Sequence, residues 1–495
     1  MSWSLHRVLL AALLLGNTVL FAGVDPLTKA FTAAIVVGLM IDLRRIPTVP
    51  KAARVAASGF LALAAVQLIP LPEFLRSVIQ PGFAEVMAPG WYPLSLAPWS
   101  TLRVVASAVI VAGIVLSAAR MASTRSGLPV LLGIVAATCG LLAVLGLAGE
   151  SGAPEKVLLF RANSGGGGVY GPFVNPNHFA AAIELTLPAA LVLLAAALRN
   201  LPHPGAARQR AAVVVIASAV VSVVAIGAVL RSSSRGGVLF LGVALVLTGG
   251  LWLRPWRSRR WPWVAGVAAL LALALTFAWT RLPELRDGFG ELLVVEGVEG
   301  NSRWDLWRGT VDSFARSPVV GSGLGSYRHV IGLDKPATGT AVLEQAHNDW
   351  LEWASTTGLV GILVLALFVA ALVWPLRPSR VRRLRHELRY PLAGAAVALL
   401  ATALHEMVGF GLQSPLNRYI LAVWVGLVWG VVGRIGERGG RPDDRRYGPM
   451  PAGDKGGSTA VDPVPEDGEV LPANDPTARQ AMQTSLFGEG DGGEP

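Results

Sequence analysis

What most constrains this chain is its succession of apolar segments, each about 18 residues or longer and nearly free of charge. As helices, segments of that length cross the roughly 30 Å hydrocarbon core of a bilayer. The hydrophobic share of 53% and the charged share of 15% also set the chain apart from ordinary soluble domains. The sequence therefore predicts an all-α polytopic membrane protein with about twelve transmembrane helices. We place them at residues 7–24, 28–43, 54–70, 103–122, 127–148, 178–199, 211–230, 236–254, 262–280, 357–375, 390–408 and 418–435, of which the second and third are short.

The positive charges test this count independently, because Lys and Arg concentrate in cytoplasmic loops. With the N-terminus in the cytoplasm, the arginine-rich loops, including the run "RPSRVRRLRHELR", all fall on the cytoplasmic side. The net charge of +10 is therefore interpreted as a topology signal, with anionic membrane lipids as partners and no nucleic acid. Both termini are expected in the cytoplasm of a multi-pass protein.

Two loops on the opposite side are long enough to hold structure, at residues 70–101 and 281–356. The second is the main loop and joins the ninth and tenth spans. We assign residues 1–435 to one transmembrane domain that includes this loop. Residues 436–495 are rich in Gly, Pro, Asp and Glu without apolar periodicity, which predicts a disordered cytoplasmic tail.

Polar residues gather at the outer face. The stretch "VLRSSSRGGVLF" places Arg231 and Arg235 at the outer ends of the seventh and eighth spans. Two interpretations stay open for these arginines. They are either interfacial anchors that extend to the headgroups or a clamp for an anionic ligand at the membrane surface.

The main loop contains "NSRWDLWRGTVDSFARSPVVGSGLGSYRHV". Its aromatic and apolar residues recur at helical spacing, which predicts an amphipathic helix resting on the bilayer and ending at Ser317-Pro318. The apolar positions are Trp304, Trp307, Val311 and Phe314, and the charged positions on other faces are Arg303, Asp305 and Arg308.

His347, in "EQAHNDWLEWASTTGLVG", exchanges a proton near neutral pH, since the ordinary pKa of histidine is about 6.5. A phosphate-binding arginine beside it would make a transferase site. The alternative is that His347 only caps or packs the tenth span. Glu344 and His347 also have the Glu-x-x-His spacing of dimetal helices, but no second such pair occurs, so we predict no metal.

The stretch "GPFVNPNHFAAAIEL" opens the sixth span with Asn177 and His178, and Glu184 follows about two turns further on. Asn177 is expected to cap this helix. Glu184 is a carboxylate at membrane depth, and such residues are functional candidates.

Taken in order, four stretches resemble the O-antigen ligase and polymerase superfamily of bacterial membrane glycosyltransferases. They are "GPFVNPNHFAAAIEL", "RSSSRGGVLF", "NSRWDLWRGTVDSFARSPVVGSGLGSY" and "AHNDWLEWASTTGLVGILV", with weaker matches in "LSLAPWSTLRVV" and "HEMVGFGLQSPLNRYIL". The resemblance covers roughly residues 90–430 and implies a helical fold similar to C-type glycosyltransferases, with a long periplasmic loop between spans nine and ten.

The resemblance also implies an activity: glycan transfer from an undecaprenyl diphosphate-linked donor to an acceptor hydroxyl at the outer face of the inner membrane, without metal or other cofactor. The family's diphosphate-binding arginines match Arg235 and Arg303, and its histidine matches His347. Relatives often carry an acid in the last outer turn where this chain has Gly409, so that role does not carry over, and Glu406 is a stand-in.

Roles then follow from the chemistry. The cations Arg235 and Arg303 stabilise the leaving diphosphate, and His347 acts either as base for the acceptor hydroxyl or as a phosphate contact. A direct displacement inverts the anomeric carbon. Further substrate-binding candidates are Arg231, Arg308, Asn348, Asn177, His178 and Glu184.

Several functions remain open. The same chemistry serves a ligase acting on lipid A-core, a polymerase extending a growing polysaccharide, and a protein O-oligosaccharyltransferase. From other classes, a flippase for lipid-linked oligosaccharide or a noncatalytic scaffold would also be a polytopic protein. The apolar midmembrane positions favour surface chemistry over transport.

Overall fold

The computed structural model describes residues 3–41, 47–84, 86–152, 156–158, 161–162, 169–253, 303–334, 343–381 and 384–438. All of them lie in one unit, Met1–Arg441. The predicted ninth span at residues 262–280 lies outside the described residues, as does the predicted tail beyond Arg438.

Helices make up nearly all of the described structure. The α-helices are α1 Trp3–Val19, α2 Pro26–Ile41, α3 Lys51–Leu68, α4 Glu73–Ile79, α5 Pro98–Ala122, α6 Gly127–Gly152, α7 Pro176–Asn200, α8 Ala206–Arg231, α9 Arg235–Leu253, α10 Arg303–Arg316, α11 Tyr327–Val330, α12 Asp349–Val373, α13 Pro378–Val381, α14 His386–His405 and α15 Pro415–Arg438. Single 3-10 turns occur at Phe21–Gly23, Pro81–Phe83, Ile331–Leu333, Trp374–Leu376 and Gly411–Gln413. Two short antiparallel pairs join β1 Pro70–Leu71 to β2 Tyr92–Pro93 and β3 Lys156–Val157 to β4 Arg161–Ala162.

Within the described residues, eight helices are long and apolar enough to cross a membrane, and three apolar helices are shorter. The long ones are Lys51–Leu68, Pro98–Ala122, Gly127–Gly149, Pro176–Asn200, Ala206–Arg231, Asp349–Val381, Glu387–His405 and Pro415–Gly433, and the shorter ones are Leu5–Val19, Pro26–Ile41 and Arg235–Gly249. The protein is thus an all-α polytopic membrane protein. The third and eighth predicted spans correspond to helices of 18 and 19 residues, whereas the first and second correspond to shorter helices of 17 and 16 residues.

Helices α7 and α15 form the centre of the bundle, and small residues let their neighbours approach closely. An added Cβ at Gly426 would lie 2.4 Å from the Val115 carbonyl oxygen, and one at Gly430 would lie 2.1 Å from that of Ala119. Glycine is therefore required where α15 crosses α5, since close backbone packing stabilises helix pairs in lipid. The Trp424 indole in α15 donates to the Leu185 carbonyl oxygen in α7 (2.7 Å).

At one end of the bundle, which we call the site end, α7, α9, α12 and α15 begin and α14 finishes. Asn417 in α15 donates to the His178 carbonyl oxygen at the start of α7 (3.0 Å). The Trp350 indole in α12 donates to the Ala403 carbonyl oxygen in α14 (3.0 Å). These contacts bring together segments that are far apart in sequence.

Helix α12 begins at Asp349, eight residues before the predicted start of the tenth span, and is interrupted at Gly358, whose φ is 64°. The loop at residues 317–326 pairs with the backbone on both sides of this interruption. The Leu359 amide donates to the Pro318 carbonyl oxygen (2.8 Å), and the Gly323 amide donates to that of Thr356 (3.0 Å). The kink therefore leaves these groups paired, as a low-dielectric environment requires.

Two buried glutamines fix this loop further. The Gln67 side chain at the end of α3 donates to the carbonyl oxygens of Val320 (2.7 Å) and Thr356 (3.0 Å) and accepts from the Leu324 amide (2.9 Å). Gln80, in the predicted loop 70–101, donates to the Gly321 carbonyl oxygen (2.8 Å). Loop 317–326 is consequently a rigid part of the site end.

Candidate active site

The backbone around His347 is held on both sides. The Ala346 amide donates to Glu352 Oε2 (3.0 Å), and the Ala346 carbonyl oxygen accepts from the Trp307 indole (3.1 Å). His347 itself has φ 51°, a left-handed conformation that is uncommon for a residue with a side chain and often marks functional sites. The cap of α12 is Asn348, not His347.

Asn348 uses its side-chain oxygen as that cap, accepting from the amides of Trp350 (3.1 Å) and Leu351 (3.0 Å). This bond satisfies amides that the first turn of a helix leaves unpaired. Asn348 therefore helps to position His347 by fixing the start of α12.

The His347 imidazole packs edge-on against the Phe410 ring (4.5 Å between centroids), and His178 packs against the same ring (4.6 Å). His347 Nδ1 and His178 Nε2 are buried and have no hydrogen-bond partner within the described residues. Two imidazoles thus flank one phenyl ring, each with a buried ring nitrogen that makes no hydrogen bond within the described residues.

Burial, and then the nearby Arg303 guanidinium, lower the pKa of His347 to about 4. Both causes disfavour a second positive charge. The imidazole is therefore neutral at pH 7 and able to accept a proton.

Arg303 is the first residue of α10 and is only 9% exposed. Its guanidinium donates to the Val408 carbonyl oxygen in the turn between α14 and α15. This turn also carries Phe410, so a buried cation and the neutral His347 meet at the same turn.

Helix α10, Arg303–Arg316, confirms the predicted loop helix. Its buried face consists of Arg303, Leu306, Gly309, Thr310 and Ser313. Trp304 and Val311, from the predicted apolar stripe, are exposed, as is Arg308. The apolar stripe is thus available to lipid, while Trp307 holds the residue before His347.

Arg235 opens α9 and is half-buried, whereas Arg231 at the end of α8 is exposed. Ser234 between them accepts from the Gly237 amide (3.0 Å) and donates to Asn177 Oδ1 (2.6 Å). The turn that carries Arg235 is therefore attached to the start of α7, next to His178.

The expected role of Asn177 as helix cap is wrong. The cap of α7 is Asn175, whose side chain accepts from the Asn177 amide (2.8 Å). Because Pro176 occupies the first helical position, the cap falls one residue before it. Asn177 instead accepts the bond from Ser234.

Glu184 is fully buried and pairs with His405 Nδ1 (3.0 Å). The His405 ring also stacks on Phe240 (4.9 Å) and approaches Gly236, whose added Cβ would lie 3.0 Å from Nε2. Glu184 therefore holds His405, which packs against the first turn of α9. Sequence reasoning did not single out His405, although a carboxylate at membrane depth indicates a partner.

Glu344 lies before α12 and forms an exposed ion pair with Arg328 (3.6 Å). The Glu-x-x-His spacing therefore does not place Glu344 and His347 on one helix face. Within the described residues, no group of three or more His, Cys, Asp and Glu side chains is arranged to hold a metal ion.

Fold and site together define a polytopic helical membrane protein with cationic and imidazole groups gathered at one end of the bundle. Residues 220–366 match the O-antigen ligase family, Wzy_C, which confirms the resemblance and identifies an O-antigen ligase domain of glycosyltransferase type. The match includes Arg235, Arg303 and His347 and stops short of His178 and Glu406. No curated protein matches the chain.

Proposed function

We propose that the protein transfers a glycan from an undecaprenyl diphosphate-linked donor to an acceptor hydroxyl at the periplasmic face of the inner membrane. It would act as an O-antigen ligase on lipid A-core or as a polymerase on a growing surface polysaccharide. The observation that carries this proposal is the buried Arg303 beside the neutral His347 at the site end.

Arg303 and Arg235 are proposed to bind the donor diphosphate. The lipid diphosphate gains negative charge as the sugar bond breaks, and guanidinium groups donate paired hydrogen bonds to phosphate oxygens. Arg303 is already held by the Val408 carbonyl, and Arg235 lies on a turn attached to α7. Such preorganised donors stabilise the transition state without reorganisation at the moment of reaction.

His347 is proposed as the general base. A positioned base typically contributes about 10² to 10⁴ in rate by accepting the hydroxyl proton during attack. Because the diphosphate offsets the charge of Arg303, donor binding removes one of the two causes that depress the pKa of His347. The bound donor thereby strengthens the base that takes the proton of the attacking hydroxyl.

The remaining residues divide into contacts and supports. His178, with its open Nε2, is proposed to contact the sugar or a phosphate oxygen, and the exposed Arg231 and Arg308 to contact the outer part of the donor. Asn177 and Asn348 act as supports, and so does Glu184, because their oxygens are engaged within the protein.

The two guanidinium groups supply the positive charge for the leaving group, so the proposed reaction uses no metal, nucleotide sugar or other cofactor. One base and a direct attack give inversion at the anomeric carbon. The proposed fold relationship is to C-type glycosyltransferases, with both termini in the cytoplasm.

The test uses purified protein in liposomes with a lipid-linked donor and an acceptor glycan. We expect Arg235→Ala and His347→Ala each to abolish product and the release of undecaprenyl diphosphate at normal protein level. Arg328→Ala and His329→Ala, which alter exposed residues of the same loop, serve as matched controls and should transfer normally.

Normal product from both site variants would contradict the proposal. Movement of intact donor across the bilayer without release of diphosphate would indicate a flippase instead. The identity of the accumulated glycan separates the two preferred activities, because loss of a polymerase leaves single repeats and loss of a ligase leaves long unattached chains.

A further inference from the structure

Three carboxyl groups meet near the proposed base, two from α12 and one from Glu406, the residue after α14. Gln413 donates to both Asp349 Oδ1 (3.2 Å) and Glu352 Oε1 (3.1 Å). Glu406, which is 1% exposed, accepts at Oε2 from the Gly411 amide (2.7 Å). Ordinary donors therefore satisfy one oxygen each of Asp349 and Glu406.

The second oxygens of this pair, Asp349 Oδ2 and Glu406 Oε1, are buried and accept from no donor within the described residues. The two carboxyl groups lie close enough to interact with each other, and the backbone amide of Asp349 donates to the Glu406 carbonyl oxygen (3.1 Å). Two carboxylate oxygens both lack a proton to donate, so a hydrogen bond between them requires that one carboxyl be protonated. A proton shared between the two carboxyl groups would give these buried oxygens a partner.

Glu406 also occupies a space that the surrounding glycines leave open. An added Cβ at Gly411 would lie 2.5 Å from Glu406 Oε1, and one at Gly409 would lie 3.4 Å from Oε2. The backbone supports the same contact, because the Asp349 amide donates to the Glu406 carbonyl oxygen (3.1 Å). The carboxyl is thus fitted into the turn that carries Phe410.

We propose that Asp349 and Glu406 share one proton and that this carboxyl pair is a positioning element for His347. The proposal rests on the proposed function. Asp349 lies two residues after His347, and Glu406 anchors the turn whose Phe410 ring packs on the imidazole. The pair therefore joins the two segments that set the position of the proposed base.

This arrangement predicts a loss of activity on the alkaline side that does not come from His347. Burial, the charge of Asp349 and the more distant charge of Glu184 raise the pKa of Glu406 well above its ordinary value, against the Gly411 amide, which lowers it. When the shared proton leaves, two buried carboxylates repel each other and separate. The charged and titratable groups around the pair are Glu352 in α12, His347 just before α12, Arg418 in α15, and Glu184 in α7 with its partner His405. Arg303 of α10 donates to the same turn at Val408.

The experiment measures the pH profile of kcat and the KM for donor in liposomes for wild type and variants. We expect Glu406→Ala to lower kcat by about 10²-fold with a much smaller change in KM, because misplacement of about 1 Å costs that much in rate. Glu406→Gln keeps a neutral donor in the same shape. It should lower kcat far less than E406A and remove the alkaline limb. Glu344→Gln, an exposed carboxyl of the same loop, is the matched control and should show the wild-type profile.

An infrared measurement tests the shared proton directly, even if E406A does not fold. The infrared band of a protonated carboxyl should be present in wild type at pH 7 and reduced in E406Q. An unchanged band, or an E406Q profile that retains the wild-type alkaline limb, would overturn the shared proton. If Arg235→Ala and His347→Ala are inactive while E406A has wild-type kcat, only this inference fails. If those two variants are active, the proposed function fails.

Discussion

Lowering the pH from 7.5 to 3.5 distinguishes the two roles open to His347, because the base role needs the neutral imidazole and the phosphate-contact role needs the imidazolium. Burial and Arg303 lower the pKa of His347 to about 4. At pH 7, three units above that value, about one molecule in 10³ carries the imidazolium. The two roles therefore predict opposite slopes.

For a base, kcat/KM should stay constant from pH 7.5 to about 5, halve near pH 4 and then fall about tenfold per pH unit. For a phosphate contact as imidazolium, kcat/KM should instead rise about tenfold per unit as the pH falls from 7 towards 4. We expect the first result. Because kcat reports the complex with substrate, its acid limb should lie at a higher pH than that of kcat/KM, where the diphosphate offsets Arg303.

The assay is transfer in liposomes at limiting and at saturating donor, with product separated by mass, across the pH series. Each preparation is returned to pH 7.5 and assayed again, which removes irreversible unfolding from the profile. His329→Ala, an exposed histidine of the same loop, should reproduce the wild-type limb. A kcat/KM that rises on acidification, or an acid limb of kcat/KM at the ordinary pKa of about 6.5, would refute the reasoning.

Three further outcomes follow from the packing. Gln67→Ala leaves the buried Leu324 amide and the buried Val320 carbonyl without partners, so it should lower the free energy of unfolding by about 2 to 6 kcal/mol, measured by thermal unfolding in detergent. The control Gln209→Ala, at an exposed position, should change that free energy by under about 0.5 kcal/mol. Gly321→Ala, with φ 72° and an added Cβ 2.2 Å from the Thr356 carbonyl carbon, should give little folded protein, but Gly332→Ala, with nothing within 4 Å, should fold normally. Since the folded state resists protonation of His347, the unfolded state binds the extra proton between about pH 6.5 and 4. The free energy of unfolding should therefore decrease as the pH is lowered from about 6.5 to 4 in wild type, and decrease less in His347→Gln.

The membrane-spanning architecture follows from hydrophobic periodicity, and so does α10. Eleven apolar helices of the described residues coincide with predicted spans, because the cost of burying charge in lipid leaves a strong local signal. The start of α12 did not follow from this signal. Its first turns, "DWLEWAST", carry two acids among apolar residues, yet they are helical because loop 317–326 and the cap at Asn348 satisfy their backbone groups.

The sequence predicts those site residues that belong to a recognisable local stretch, but not the contacts between stretches. Arg235, Arg303 and His347 were found by resemblance, and the structure places Arg303 beside His347. Their supports depend on contacts across long stretches of chain, as in the pairing of Glu184 with His405, 221 residues apart. No local pattern encodes such a distance, and the same holds for the choice of Asn175 over Asn177 as cap, which depends on where Pro176 begins the helix.

The charge balance at the site end explains why the polar residues are distributed as they are. Arg303 near a buried imidazole keeps that imidazole neutral, whereas the carboxyl groups of Asp349 and Glu406 are not among the groups that shift the pKa of His347. If these acids contacted His347 directly, they would raise its pKa and favour the imidazolium, which is unable to accept a proton. In the proposed arrangement, the carboxyl pair fixes the position of His347 through the Phe410 turn and the start of α12, and the imidazole stays neutral.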